Sequence, residues 1–133
     1  MVIGVNHSNI DVTDVECSKN FYTKLFGFTH KKTYYYESGM IVCLLTLNDF
    51  VLELVQHVTP RVEKNSVGVM NHIAYDVDDL RQTIKDFKEY GVVFQSEEIK
   101  SGFGGTIELI NLKGPDGENI VLIETLKQTL PST

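Results

Sequence analysis

The chain has 133 residues, 42% of them hydrophobic, which is enough for one shared core and too little for two independent domains. Its formal net charge is −6 and its longest basic run is Lys31-Lys32, so a nucleic-acid partner is excluded: phosphate binding needs clustered Lys and Arg. Cys17 and Cys43 form no CxxC motif, Met1–Ile10 lacks a basic start and an apolar centre, and no apolar run is long enough for a bilayer, so a reduced, cytoplasmic protein without a membrane partner is expected.

In chain order, Val2–Val12 reads as a strand ending in Asn and Asp punctuation. Val15–Phe26 carries Val15, Phe21, Tyr22, Leu25 and Phe26 at helical spacing, with Asp14 as N-cap and Gly27 as C-cap. Phe28–Tyr36, Met40–Leu47 and Phe50–Val58 are rich in β-branched and aromatic residues. They are separated by Glu37-Ser38-Gly39 and Asn48-Asp49, and read as three strands. The first half is therefore βαβββ. Thr59–Ser66, with Pro60 and polar neighbours, reads as a linker. His72–Val77 is the next strand, and Leu80–Tyr90 a helix capped by Asp78 or Asp79. Val92–Ile99, Thr106–Leu112 and Asn119–Leu126 are strands, the last two joined by the turn Gly114-Pro115-Asp116-Gly117. Leu130–Thr133 reads as a frayed tail.

The second half is the first one again. Asn6-His7-x-x-x-Asp11-Val12-x-Asp14-Val15 returns 65 residues later as Asn71-His72-x-x-x-Asp76-Val77-x-Asp79-Leu80. Each copy runs into a helix with an aromatic, Tyr22 or Phe87, and each helix stops at a glycine, Gly27 or Gly91. One unit built twice places His7 and His72 at equivalent positions, and paired histidines suit a metal site.

Within Phe50-Val51-Leu52-Glu53-Leu54-Val55, alternation puts Glu53 with Val51 and Val55 on the face opposite Leu52 and Leu54. A carboxylate there needs a positive partner. His7 alone, or His72 alone, is an ordinary hydrogen-bonded strand histidine. With Glu53 they make a 2-His-1-carboxylate set suited to Zn, Ni, Co, Mn or Fe. Ser101-Gly102-Phe103-Gly104-Gly105 fits either a plain connection or a loop that folds over a ligand. It does not join a strand to a helix, which argues against a phosphate cradle. Tyr34-Tyr35-Tyr36 alternates across a strand and serves either a cavity or packing; His30 and Arg81 read as surface residues.

Two βαβββ units, the repeated opening motif, Leu52-Glu53-Leu54 and the Gly114–Gly117 turn together resemble the vicinal oxygen chelate superfamily, nearest to its small glyoxalase I and bleomycin- or fosfomycin-resistance proteins. The resemblance spans 3–126. It implies an α+β fold of two tandem βαβββ modules, about 3–58 and 69–126 with a linker at 59–68, forming cup-shaped mixed sheets in a single domain and assembling as a homodimer. It implies a divalent metal on His7, Glu53 and His72, with Glu53 also the catalytic proton acceptor. The family's fourth ligand lies four residues after the glycine of the turn, which here is Val121. Glu124 and Glu118 have the wrong strand parity to replace it without a bulge. Where glyoxalase I often has an arginine this chain has Asp11, and where it often has an asparagine this chain has His57. The expected substrate-facing residues are thus His57, Asp11, Phe103 and Val121. The implied activity is a metal-dependent lyase or isomerase acting on a small oxygenated substrate other than the usual glutathione adduct. The rival is a metal-free module that sequesters a drug or metabolite.

Overall fold

The computed structural model describes residues 1, 6–59, 72–96 and 98–126. Two compact units divide the chain, Met1–Val67 and Gly68–Thr133. The expected linker, apart from Thr59, falls outside the described residues, as do Val2–Val5 of the first expected strand and the tail beyond Leu126.

The first unit runs β1 (Ser8–Asp11), α1 (Val15–Phe26), β2 (Thr29–Tyr35), β3 (Ile41–Leu47) and β4 (Phe50–Gln56). Its sheet has the order β1-β4-β3-β2, with β1 parallel to β4 and the other pairs antiparallel. Helix α1 starts and stops where local chemistry dictates. Asp14 accepts from the backbone N–H of Glu16 and Cys17, both at 3.1 Å, and the Gln56 side-chain oxygen takes the N–H of Val15 at 2.8 Å. At the other end Gly27 adopts φ +75°, a left-handed cap that an L side chain resists. The helix lies against the sheet face carrying Cys43, Leu45, Leu52 and Leu54, which are all but inaccessible, and buries Tyr22 completely. Tyr22 meets Phe28 edge-on at 5.8 Å, and Phe28 meets Phe50 at 6.4 Å. Each leucine buried to this degree contributes about 1.5–3 kcal/mol relative to exposure.

The second unit repeats the plan: β5 (Ile73–Asp76), α2 (Leu80–Glu89), β6 (Lys100–Gly102), β7 (Ile107–Lys113) and β8 (Asn119–Thr125), in the sheet order β5-β8-β7-β6. Asp79, not Asp78, caps α2, accepting from Gln82 N–H at 3.1 Å. Leu80, Phe87, Leu112, Ile120 and Leu122 form its core. Two mixed four-stranded sheets of identical strand order, each with one helix, are the α+β tandem βαβββ fold expected from the repeat.

One expected element is absent. Among the described residues of Val92–Ile99 no strand is formed; Phe94 makes an isolated bridge to Leu112, and the Gln95 N–H donates to the Asn111 carbonyl at 3.3 Å. Burial there alternates as in a strand, with Val93 exposed beside buried Phe94, but the ladder is not continued. The Ser96 hydroxyl also takes the N–H of Glu98 at 3.2 Å, a local bond that competes with a ladder. The edge strand is instead β6, inside the segment read as a glycine loop. Gly102 allows this, since a Cβ there would meet Leu109 at 3.1 Å and Ile107 at 3.2 Å. The loop proper is the short 3-10 turn Phe103–Gly105. Phe103 holds φ +47° and is 78% exposed, and its carbonyl is fixed by the Thr106 hydroxyl at 2.8 Å.

Candidate functional site

In the first unit the sheet face opposite α1 is set by register. β1 pairs with β4 so that Asn9 lies beside Glu53 and Asp11 beside Val55, and β3 places Leu44 on the other side of Glu53. His7, two residues before Asn9, shares that face by alternation. The pairing is realised: His7 Nε2 lies 3.3 Å from Glu53 Oε2. Farther along the same two strands His57 Nε2 lies 3.1 Å from Asp11 Oδ1. Thus the face carries two histidine–carboxylate pairs crossed between β1 and β4, with Val55 between them.

The first pair brings a histidine nitrogen and a carboxylate oxygen face to face. Asn6 Oδ1 lies 2.7 Å from His7 Nδ1. That oxygen only accepts, so Nδ1 carries the proton and a neutral ring leaves a bare lone pair on Nε2. Two acceptor atoms, Nε2 and Oε2, then face each other, which is repulsive unless a proton or a cation lies between. Metal–ligand bonds of about 2.0–2.2 Å put neighbouring donors about 3–3.5 Å apart in octahedral or tetrahedral coordination, and the observed 3.3 Å falls in that range. A ligating histidine whose second nitrogen donates to a neighbouring oxygen is also the usual arrangement at metal sites. The residues present therefore fit a divalent ion. Among the described residues, no group of three His, Cys, Asp or Glu side chains is gathered closely enough to hold one by itself. His72, the third expected donor, is exposed at the start of β5 in the second unit.

In the second pair Asp11, expected from the resemblance to stand where an arginine often does, is engaged by His57.

Register in the second unit identifies the counterpart of Glu53. Asn9 pairs with Glu53 in β1/β4, and Ala74 pairs with Val121 in β5/β8. Val121 therefore occupies Glu53's place, and it is buried, at 8% exposure. Glu124 and Glu118, read from the sequence as having the wrong parity to replace it, are engaged elsewhere. Glu124 Oε1 accepts the N–H of Leu80 at 2.7 Å, the same task Gln56 performs for Val15 in the first unit. Glu118 folds into the preceding turn, where its Oε1 accepts the N–H of Asp116 at 2.8 Å. No bulge interrupts β8 against β7, so Glu124 stays on the helix side.

Other expected surface residues behave as such. Arg81 makes a two-pronged bond to Glu108 at 3.0 and 3.1 Å, which raises the guanidinium's pKa and lowers that of the carboxyl. His30 bonds Thr33 at 2.7 Å. Tyr34, Tyr35 and Tyr36 are all exposed on or just past edge strand β2, with Lys32 over the Tyr34 ring. Burial raises the thiol of Cys43 and the phenol of Tyr75. Sequence reading missed Asn6 as the partner of His7, Gln56 and Glu124 as helix caps, and Asn111, whose side-chain oxygen is buried without a hydrogen-bond partner among the described residues. Asn6 was adjacent to His7 and open to notice; the others depend on strand register.

Comparison with known proteins follows the same line. The family model for the Glyoxalase/Bleomycin resistance protein/Dioxygenase superfamily matches residues 4–122. Mitochondrial methylmalonyl-CoA epimerase of Homo sapiens is 29% identical over 108 residues, covering 76% of this chain and 61% of that protein. The chain thus spans about three-fifths of the relative's length. The structure is similar to that of a glyoxalase family protein from Enterococcus faecalis, with TM-score 0.78 and 24% identity, covering 92% of this chain and 98% of the other. It is also similar to the fosfomycin resistance protein FosX from Listeria monocytogenes complexed with Mn(II) and sulfate, with TM-score 0.71, 15% identity and 95% of each chain covered. At these identities the two structures speak to the fold.

Proposed function

The chain belongs to the Glyoxalase/Bleomycin resistance protein/Dioxygenase superfamily, and we propose that within it this protein is a metal-dependent isomerase or lyase acting on a small oxygenated substrate. The observation that carries the reading is the His7 Nε2–Glu53 Oε2 approach at 3.3 Å, with His7 Nδ1 held by Asn6. His7 and Glu53 would hold a divalent ion, with His72 as the third donor expected from the repeat. Such an ion, when bound, supplies Lewis-acid stabilisation of negative charge developing on a substrate oxygen.

The chain's own residues supply the rest. Asn6 fixes the ring of His7 and its tautomer. Glu53 is the proton acceptor: it takes a proton from a substrate carbon and returns it to that carbon or to a neighbouring one, so the reaction is an epimerisation or isomerisation with no net redox change. The match to an epimerase supports this class over ring cleavage. Asp11 and His57 shape the far end of the same face and disfavour the glutathione adduct. A homodimer is part of the same reading.

Val121 supports a second reading. An apolar, buried residue in Glu53's counterpart position also suits a metal-free module that sequesters a small molecule.

The test begins with metal content of protein purified without chelator, for the native chain and for His7→Ala, Glu53→Gln and His72→Ala, followed by titration of the apoprotein with Zn, Ni, Co, Mn and Fe(II). Native protein is expected to hold a divalent ion that each variant weakens or loses. Incubation with methylmalonyl-CoA in D2O then tests proton exchange on carbon, with deuterium uptake expected to require Glu53. Metal content unaffected by both His7→Ala and Glu53→Gln would reject the enzyme reading in favour of the binding module.

A further inference from the structure

The outer edge of the first sheet carries a sequence that complements itself. β2 is the last strand in the order β1-β4-β3-β2, and its far side pairs with no strand among the described residues. Tyr34, Tyr35 and Tyr36 are 40%, 74% and 49% exposed. His30-Lys31-Lys32 lead into them, so cations fill one end of the edge and aromatic rings the other. The equivalent edge of the second unit, β6, is only Lys100–Gly102 and carries no ring. A short edge strand blocks pairing with another chain, and β2 lacks that protection. Lysines and a bulge are further devices of this kind. β2 has both, so what decides is which residues they would meet.

Backbone direction fixes which residues can receive a further strand. The Tyr36 N–H donates to the Met40 carbonyl at 3.0 Å. By alternation Tyr34 and Lys32 also bond toward β3, while Thr33 and Tyr35 turn their N–H and C=O groups outward. The inner strands agree. The Val55 carbonyl accepts from Val12 on the β1 side, so Leu54 bonds toward β3, and its partner Cys43 turns its backbone away from Thr33. Lys31 is the extra residue of a bulge, since His30 pairs with Leu45 and Lys32 with Leu44. The regular part of the edge therefore runs from Lys32 to Tyr36.

We propose that this edge is a self-association surface, on which β2 of a second copy of the chain pairs antiparallel about a two-fold axis at Tyr34. Thr33 then exchanges backbone hydrogen bonds with Tyr35 of the second copy, and Tyr35 with Thr33 of the second copy, which satisfies both outward-facing residues. On the face away from α1, Tyr34 lies beside its symmetry mate and Lys32 comes opposite Tyr36. Lys32 already sits 4.8 Å from the centroid of the Tyr34 ring, and the pairing gives it a second ring to cover. Lys31 arrives at the end that carries Glu37, and no lysine opposes a lysine. A guard of lysines works when like charges meet, and segregating the cations from the rings removes that conflict in this register. An axis between two residues is closed off, because it would set an outward-facing backbone against an inward-facing one. An axis at Thr33 would need the bulged Lys31 to pair. The occupant is a second copy because one half of the edge complements the other half. The inference specifies the surface of the homodimer in the reading above and does not depend on the metal.

The test is sedimentation velocity of the native chain and its variants over a concentration series. One added strand pair buries less than about 1,000 Å², the class of weak and reversible contacts, so the series extends to about 1 mM. The native chain is expected to pass from monomer to dimer. Tyr34→Lys sets two lysines against each other on the axis and is expected to weaken the dimer at least about tenfold. Tyr35→Pro removes an outward N–H, leaves the bonds to β3 in place and is expected to abolish the dimer. Circular dichroism checks the fold of both. Cross-linking reads the register without either change. In a Cys17→Ser background, Tyr34→Cys places two thiols at a non-hydrogen-bonded pair with Cα atoms about 4.5 Å apart, within disulfide reach. Mild oxidation should yield a covalent dimer for Tyr34→Cys and not for Thr33→Cys; the reverse result overturns the register. A dimer unchanged by Tyr34→Lys and Tyr35→Pro, with no cross-link at either position, overturns the surface and shows that the homodimer forms elsewhere. A native chain that stays monomeric throughout overturns the surface and the homodimer together, while metal content of the same samples reports on the metal reading separately.

Discussion

Replacing Glu124 separates a structural carboxylate from a catalytic one. Its Oε1 accepts the Leu80 N–H at 2.7 Å, at the N-terminus of α2. Glu124→Ala removes a charge-assisted bond to an otherwise unmet helix N–H. Such a bond contributes about 1.5–3 kcal/mol, and the helix dipole adds about 0.3–1 kcal/mol. Glu124 is partly exposed and water recovers some of the lost bond, so the expected loss is about 1–2 kcal/mol. For a chain of this size that is a fall in Tm of roughly 3–8 °C. Glu124→Gln should behave differently. Gln56 performs the same task for Val15 with an amide oxygen at 2.8 Å, so the glutamine variant keeps the bond and gives up only the charge, about 0.3–1 kcal/mol. Thermal melts followed by circular dichroism, together with metal titration of each variant, test this. Both variants should bind metal as the native chain does. A Glu124→Gln protein with native Tm but lost metal would show that Glu124 faces the ligand and that the parity argument for β8 is wrong.

Three further outcomes follow from particular contacts. Leu122→Ala, in the core of the second unit at 1% exposure, should cost about 2–5 kcal/mol by equilibrium denaturation, and a loss under 1 kcal/mol would contradict the assigned core. Cys17 is exposed, whereas Cys43 is buried with its thiol raised by burial; a thiol reagent at neutral pH should therefore label Cys17 well before Cys43, as peptide mapping can check. Arg81 holds the Glu108 carboxyl below its ordinary value of 4.5, so the pair's stabilisation is present above that pH and fades as pH falls through the lowered value. Arg81→Gln should lower Tm slightly at neutral pH, and the gap from the native chain should close in acid; a gap that widens in acid would reverse the sign.

What was legible in the sequence was whatever is decided locally or by simple parity. Helix α1 begins after Asp14 and ends before Gly27 as expected, because an N-cap carboxylate and a left-handed glycine act on their immediate neighbours. The shared face of His7 and Glu53 followed from period-2 alternation in two strands of the same unit. Val92–Ile99 failed for the opposite reason. Its apolar run reads as a strand, yet whether a segment joins a sheet depends on the partner edge, and on that edge the continuous ladder is made by Lys100–Gly102 while this segment contributes only the Phe94 bridge and the Gln95 bond. The caps from Gln56 and Glu124 were equally hidden, since each reaches across more than forty residues of sequence to a helix start. The place of Asn111 opposite Val121 was likewise visible only in the ladder.

The two units show which parts of a duplicated module physics holds fixed. The Asp cap recurs as Asp14 and Asp79, and the strand-borne cap as Gln56 and Glu124, where either an amide or a carboxylate oxygen serves. Every copy of the helix needs these bonds, because unmet N–H groups at its start are costly wherever the helix lies. The face opposite the helix carries no such obligation. There the units differ at two paired positions, Leu44 with Glu53 against Asn111 with Val121. A change from carboxylate to valine on that face leaves the sheet intact, since valine suits a strand and the helix side is untouched. Polarity on this face is therefore free to move between neighbouring strands while the fold persists.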